Sequence, residues 1–297
     1  MPACDELAVP DRSRQLLAEL DHQVECLRTS AGWRRWVTFA SRFTDYSLNN
    51  QLLILMQRPD ATHVAGYKAW QSMGRQVNAG ERGIRIFAPS THKTEDDDGQ
   101  CVRILTGFRV VRVFDISQTS GEPIPTLTLP AVAGSSDALF DQLKAAAAAE
   151  SLDVVTRHEP PEWDGPRGWI DHETRTITLV DYGQGVDSLS RTLLHELAHW
   201  CDPVAAVCEA KHANPCLEIV AESAAWIVGT AVLGLDMLAA SATYVATWRE
   251  DLDALDTELT AELAAHTLDV ARRLEHVVTT LRRDVASGRV WPARAIE

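Results

Sequence analysis

The chain has 297 residues, 45% hydrophobic and 24% charged, with a formal charge of −14 at pH 7. That balance suits soluble globular domains with true cores, and the length suits two of them. No apolar run is long enough to span a membrane, and the acidic start Met1-Pro2-Ala3-Cys4-Asp5-Glu6 has no apolar segment of a secretory signal, so a cytoplasmic protein with no membrane partner is expected. Six scattered cysteines (Cys4, Cys26, Cys101, Cys201, Cys208 and Cys216) include no C-x-x-C pair, and reduced thiols are the expectation. Cys201, Cys208, His212 and Cys216 cluster, but their spacing matches no familiar metal-ligand pattern.

Net acidity argues against whole-chain attraction to nucleic acid. The charge is unevenly spread, however. Between Arg28 and Lys93 ten basic residues face only Asp45, Asp60 and Glu81, a local excess of seven. Such asymmetry hints at a polyanion partner for that region.

In chain order, Leu16, Leu17, Leu20, Val24 and Leu27 predict a first amphipathic helix over 12–30. A second begins near Trp33, with Trp33, Trp36, Phe39 and Phe43 on one face. The run from Tyr46 to Met56 forms a third, ended by Pro59. A short helix surrounds Trp70. Strands follow at 75–77 and 84–87, then at 102–105 and 108–114, with an acidic hairpin loop at Glu95–Gly99. The Pro-rich segment 119–135 reads as a linker between domains at 12–118 and 136–297. Beyond it come a helix over 136–151, a strand at 154–157, a hairpin of 168–170 with 175–180, and two final helices over 241–255 and 258–286.

The stretch His195-Glu196-Leu197-Ala198-His199 reads H-E-x-x-H inside a run of helix formers. Positions four apart on a helix differ by about 40° in direction, so both imidazoles stack on one face where a single zinc can take both. Glu196 points off the adjacent edge, where it could deprotonate a metal-activated water. Leu189, Leu193, Leu197 and Trp200 make the helix amphipathic, which puts both histidines beside buried surface. A third ligand is expected from the nearly apolar helix over 218–233, in which Glu222 is the only charge between Ile219 and Leu233. Glu222 is taken as ligand and Glu218, one turn earlier, as partner to a histidine; the reverse assignment stays open. Ala225 and Gly229 continue that face and would permit close approach. Tyr182, His212 and Tyr244 are weak oxyanion candidates.

Residues 33–118 resemble the N-terminal domain of the ArdC family of plasmid antirestriction proteins. The match runs through Tyr46-Ser47, Asn50, Leu52-Leu53-Ile54, Gln57, Pro59, Gly66-Tyr67, Trp70, Gly74-Arg75, Val77, Gly80, Gly83-Ile84 and Ala88-Pro89 to Phe114-Asp115-Ile116-Ser117-Gln118-Thr119. Residues 136–250 resemble the metallopeptidase domain that follows in that family, akin to ImmA/IrrE-type peptidases, through His195, Glu196, His199 and Glu222.

The resemblance implies an α+β protein: a single-stranded-DNA-binding α+β domain, then a zincin-like zinc metallopeptidase domain with a mostly helical C-terminal part. Single-strand binders combine a basic groove with stacking aromatics. Arg34, Arg35, Arg42, Tyr46, Asn50, Tyr67, Lys68, Trp70 and Arg75 are the candidates here. Trp33, Trp36, Phe39 and Phe43 are more readily core. Gly74, Gly80 and Gly83 suit turns. Two other readings stand beside this one: an antirestriction factor whose metal site is structural, and a peptidase that cleaves a repressor. The protein substrate is unassigned.

Overall fold

The computed structural model describes residues 11–95, 101–123, 136–204, 215–235, 237 and 249–283. The fold is mixed α+β and divides into two compact units. One is built from the chain up to Cys26 and from Leu48–Ile124, the other from Leu27–Ser47 and Pro125–Trp291.

In the first unit, α1 (Asp11–Leu27) buries Leu16 and Leu20. The next helix, α2 (Ser30–Ala40), belongs to the second unit. Then come α3 (Leu48–Gln57), β1 (Val64–Gly66), α4 (Tyr67–Ser72), β2 (Arg75–Val77), β3 (Ile84–Glu95), β4 (Cys101–Asp115), a 3-10 turn (Ile116–Gln118) and β5 (Thr119–Gly121). Strands β1, β4 and β3 form an antiparallel sheet in that order. The two strands expected at 102–105 and 108–114 are one, because the register slips opposite Ser90/Thr91 and the ladder continues past the bulge. Ile84, Ile86, Ala88 and Val113 point into the core, where Leu52, Leu53, Ile54 and Trp70 are also buried. The start of the expected linker is structured: β5 pairs with β2. The remainder, from residue 124, and most of the acidic hairpin loop lie outside the described residues.

Amide side chains close the open edge of β3. Asn50 donates to the Phe87 carbonyl (2.8 Å) and accepts from its N–H (2.9 Å). Gln57 does the same at Arg85, donating over 2.8 Å and accepting over 2.9 Å. Two residues seven apart on α3 thus satisfy edge groups that would otherwise be open to another strand. Gly74 and Gly80 have φ of 73° and 86°, the left-handed region expected of turn glycines. Gly83 does not: a Cβ there would meet the Arg112 Cβ at 2.9 Å, so close approach, not a turn, requires it.

The second unit contains α2, α5 (Ser136–Ala149), β6 (Asp153–His158), β7 (Gly168–Asp171), β8 (Thr176–Asp181), α6 (Val186–Cys201), α7 (Pro215–Ala231), α8 (Arg249–Ala254) and α9 (Thr257–Arg283). Helix, small sheet, H-E-x-x-H helix and ligand helix follow in the expected zincin-like order. The sheet is mixed. The β7–β8 hairpin returns β8 alongside β6 in the same direction, so β6 and β8 pair in parallel. Trp33, Trp36 and Phe39 of α2 are fully buried, and the Trp33 Nε1–H donates to Ser223 Oγ on α7 at 2.9 Å. On α9, Arg272 donates to the carbonyls of Thr44 (3.1 Å) and Tyr46 (3.0 Å), so residues 44–46 are also held within this unit.

Asp115 knots the first unit. Its Oδ1 accepts from the N–H groups of Thr62 (2.8 Å) and His63 (3.1 Å), and its Oδ2 accepts from the Ser117 N–H (2.9 Å) and hydroxyl. Burial alone would raise this carboxyl, but the bonds from Ser117, Thr62 and His63 outweigh it and hold the pKa below its ordinary value. With the folded value depressed, the stabilisation is present above the unfolded pKa of about 3.9 and is lost as pH falls through the lower folded value. Asp115→Ala removes the acceptor of four part-buried hydrogen bonds and is expected to cost about 2 kcal/mol in urea unfolding. Asp115→Asn should flatten the acid limb of the stability–pH curve below about pH 4.

Candidate metal centre

Helix α6 turns Leu189, Leu193, Leu194, Leu197 and Ala198 into the core and leaves His195 and His199 at the wall of a pocket. Helix α7 is apolar on nearly every side and buries Ile219, Val220, Ala221, Ala224 and Ala225, so its carboxylates have few directions in which to point. Gly229 makes the crossing close: a Cβ there would lie 3.2 Å from Leu194 Cδ2 on α6.

The two imidazole Nε2 atoms are 3.1 Å apart. Glu218 Oε2 lies 3.4 Å from His195 Nε2, and Glu218 Oε1 lies 3.4 Å from His199 Nε2. Ligands held tetrahedrally at zinc bond lengths are separated by about 3.3 Å, so the three groups have the spacing of one ion's ligands. Among the described residues, His195, His199 and Glu218 form the one group able to hold an ion in this way. Glu222 stands behind them, its Oε2 3.1 Å from His195 Nδ1. Glu218 thus faces the two Nε2 atoms, the arrangement left open as the alternative, while Glu222 addresses the far side of one ring. The two acids share a helix face.

Glu196 is 5% exposed and lines the same pocket. Its Oε1 would come within 3.3 Å of a Cβ at Gly168, the first residue of β7, and Thr192 Cγ2 would be 2.7 Å from that Cβ. A side chain at 168 would displace the acid or its helix, so Gly168 is a positioning residue that the sequence reading missed. Its place at the start of an expected strand was the available signal. The cavity measures about 400 Å³, and Arg167, Arg191 and Met237 also line it. Tyr182 does not, and His212 and Tyr244 lie outside the described residues.

Burial disfavours a charged His195, but hydrogen bonds donated by its ring to Glu218 and Glu222, with the nearby charges of Glu196 and Glu222, outweigh it and raise its pKa well above the ordinary value. Burial likewise disfavours an ionised Glu218, and the bonds from His195 and His199 hold its pKa far below the usual range. The cluster is thus a charge-paired network arranged around one point.

The residues expected to meet nucleic acid separate into two sets. Arg34, Arg35 and Arg42 are exposed, as are Tyr67 and Lys68. Asn50, Trp70 and Arg75 have structural duties instead. Asn50 is spent on the β3 edge. Trp70 is fully buried, and its Nε1–H donates to the Phe114 carbonyl at 2.9 Å. Arg75 donates to Thr119 Oγ1 (2.8 Å) and to the carbonyls of Thr119 (3.0 Å), Gly121 and Glu122, so its fork clamps the β2–β5 ladder. Tyr46 is half-buried against Phe43, and burial, helped by the charge of Asp45, pushes its hydroxyl up to about 12. Of the cysteine and histidine cluster after α6, Cys208 and His212 lie outside the described residues; Cys201 is buried, which pushes its thiol up to about 12.

Fold and site together define a two-unit α+β protein whose second unit carries an H-E-x-x-H helix crossed by an acid-bearing helix. Residues 12–115 match the family model of the N-terminal domain of anti-restriction factor ArdC. Two solved structures of the antirestriction protein ArdC from plasmid R388 are similar to the chain. The metal-free one is 20% identical, with 79% of this chain and 86% of that chain covered and a TM-score of 0.49. The Mn(II)-bound one is 19% identical, with 78% and 89% covered and a TM-score of 0.47. No curated protein matches the chain. No helix among the described residues is long and apolar enough to cross a membrane.

The C-terminal end of α6 is anchored by Asp202, whose Oδ1 accepts from His266 Nε2 on α9 at 2.9 Å. The hydrogen bond to Asp202 raises the His266 pKa, against a smaller opposing effect of burial. With the folded value raised, the stabilisation is complete below the unfolded pKa of about 6.5 and is lost as pH rises through the folded value. Stability of the wild type should therefore fall on the alkaline side of pH 6.5 by an increment that His266→Gln lacks, as read from urea midpoints across that range.

Proposed function

We propose that this chain is an ArdC-like antirestriction protein of a mobile element, acting in the cytoplasm. In this reading it binds single-stranded DNA through its N-terminal region and hydrolyses peptide bonds at an ImmA/IrrE-like zinc centre. The observation that carries the hydrolytic half is the convergence of His195, His199 and Glu218 at ligand spacing, with the Glu196 carboxylate beside them on one pocket wall. Two imidazoles and a carboxylate suit zinc. A zinc ion there supplies Lewis-acid activation of a water and of the scissile carbonyl.

The chain's own residues do the rest. Glu196 takes a proton from the attacking water and hands it to the leaving amine. Glu222 orients His195 through Nδ1, as carboxylates behind metal-bound histidines do. Arg167 and Arg191 are the cationic side chains of the pocket, placed to steady negative charge on the substrate. The ArdC-type domain and its exposed Arg34, Arg35, Arg42, Tyr67 and Lys68 support the nucleic-acid half.

Metal analysis after zinc loading separates the two glutamates. His195→Ala and Glu218→Gln should lose the ion, whereas Glu222→Gln should keep it with affinity lowered about 10–100-fold. The opposite pattern overturns the ligand assignment. Glu196→Gln should retain zinc and lose hydrolysis of unfolded casein by at least about 10²-fold. If wild type and Glu196→Gln are equally inert while both bind single-stranded oligonucleotide, the centre is not a peptidase.

A further inference from the structure

The first unit holds a larger concavity that none of these residues occupies. It measures about 1010 Å³, and Arg58, Arg82, Arg85 and Arg112 line it around the ring of Phe114. Glu81 is the only acid on its wall, and that carboxylate accepts a hydrogen bond from Gln118 Nε2 at 2.7 Å. Arg58 donates to Ser117 Oγ (3.1 Å) and lies 3.9 Å from Asp60; Arg85 pairs with Glu19 at 3.3 Å. Arg82 and Arg112 are exposed, and among the described residues no acid pairs with either.

Arg85 and Arg112 are direct cross-strand partners on β3 and β4. Like charges facing each other across an antiparallel pair destabilise a sheet, and such a violation of local rules is expected where an outside partner relieves it. Gly83 keeps the cleft open: a Cβ would meet the Arg112 Cβ at 2.9 Å and Phe114 Cζ at 3.1 Å. The cationic wall is also preorganised. Gln57 clamps the Arg85 backbone from both sides, and Gln118 donates to the Arg82 carbonyl at 2.9 Å.

We propose that this cleft is the nucleic-acid site of the first unit. Its arginines hold successive phosphates of a single-stranded DNA segment, and one base stacks on Phe114. This rests on the single-strand reading above and gives it residues that the sequence did not single out. A single strand fits best because it alone offers both chemistries at once. Its phosphates match the four guanidinium groups, and its unpaired bases offer a face to the aromatic ring. A duplex keeps those faces stacked inside, and an acidic peptide has no use for the ring.

The test is anisotropy of a fluorescein-labelled oligothymidylate titrated with the full-length protein over a range of salt concentrations. Arg82→Gln and Arg112→Gln should each weaken binding roughly tenfold and reduce the slope of log K against log salt by about 0.7, the increment for one phosphate of a single strand. Phe114→Leu should weaken binding with the slope unchanged. The melting midpoint of Arg112→Gln should equal or exceed that of the wild type, which separates loss of a contact from loss of the fold. Wild-type affinity in the cleft variants, with loss instead in Arg34→Gln and Arg35→Gln, would overturn the assignment and leave the single-strand reading intact. Equal affinity for a duplex of the same length would overturn it in favour of duplex binding. Absence of salt-dependent binding by the wild type would remove both.

Discussion

The close crossing of α6 and α7 is the constraint on which the cluster of His195, His199 and Glu218 depends. Two of these side chains come from one helix and the third from another, so their three ligand atoms converge only if the helices pack closely. Small residues line α7: Ala221 and Ala225 are buried, and a Cβ at Gly229 would lie 3.2 Å from Leu194 Cδ2, a tight contact to which the neighbouring side chains would have to give. The rotation of α7 is braced from behind by the Trp33–Ser223 hydrogen bond, one residue from Glu222. An indole N–H buried this fully needs its acceptor, so the bond resists rotation of the ligand helix.

That brace changes the meaning of the early sequence. The ArdC-type domain match begins at residue 12 and includes residues 27–47, yet those residues pack within the same compact unit as the metal centre. Their aromatic stripe is core for α7, and the Arg272 hydrogen bonds to Thr44 and Tyr46 add to the attachment. The run of ten basic residues is divided accordingly. Arg28, Arg34, Arg35 and Arg42 belong to the second unit, and the rest to the first.

Within the first unit, polar side chains that look available for a ligand turn out to be employed in the fold. Asn50 and Gln57 act as a surrogate strand along the β3 edge, Arg75 ties together the short β2–β5 ladder, and Asp115 gathers the loop at 62–63. Each bond contributes only about 1 kcal/mol net, but the buried groups would be costly to leave unmet, so these side chains are not free to serve DNA. What remains without an acidic partner, among the described residues, is the pair Arg82 and Arg112 of the arginine cleft. It concentrates positive charge in a protein that is acidic as a whole, and a polyanion near it would be steered there and not to the acidic remainder.

The amino-acid sequence by itself determined the α+β class, most of the element order, the helical stacking of His195 on His199 and the placing of Glu218 and Glu222 on one face of a buried helix. These follow from local periodicity, which the chain carries residue by residue. It narrowed the acid facing the histidines to two glutamates one turn apart and could go no further, because residues separated by four share a face. Which of them meets the two Nε2 atoms depends on how two helices pack, and one brace of that packing is Trp33, far away in sequence. The same holds for the nucleic-acid candidates. Composition showed where cations and aromatics were concentrated, but Trp70, Asn50 and Arg75 were withdrawn by partners more than thirty residues distant. Arg85 and Arg112 became neighbours only when β3 and β4 paired in one register.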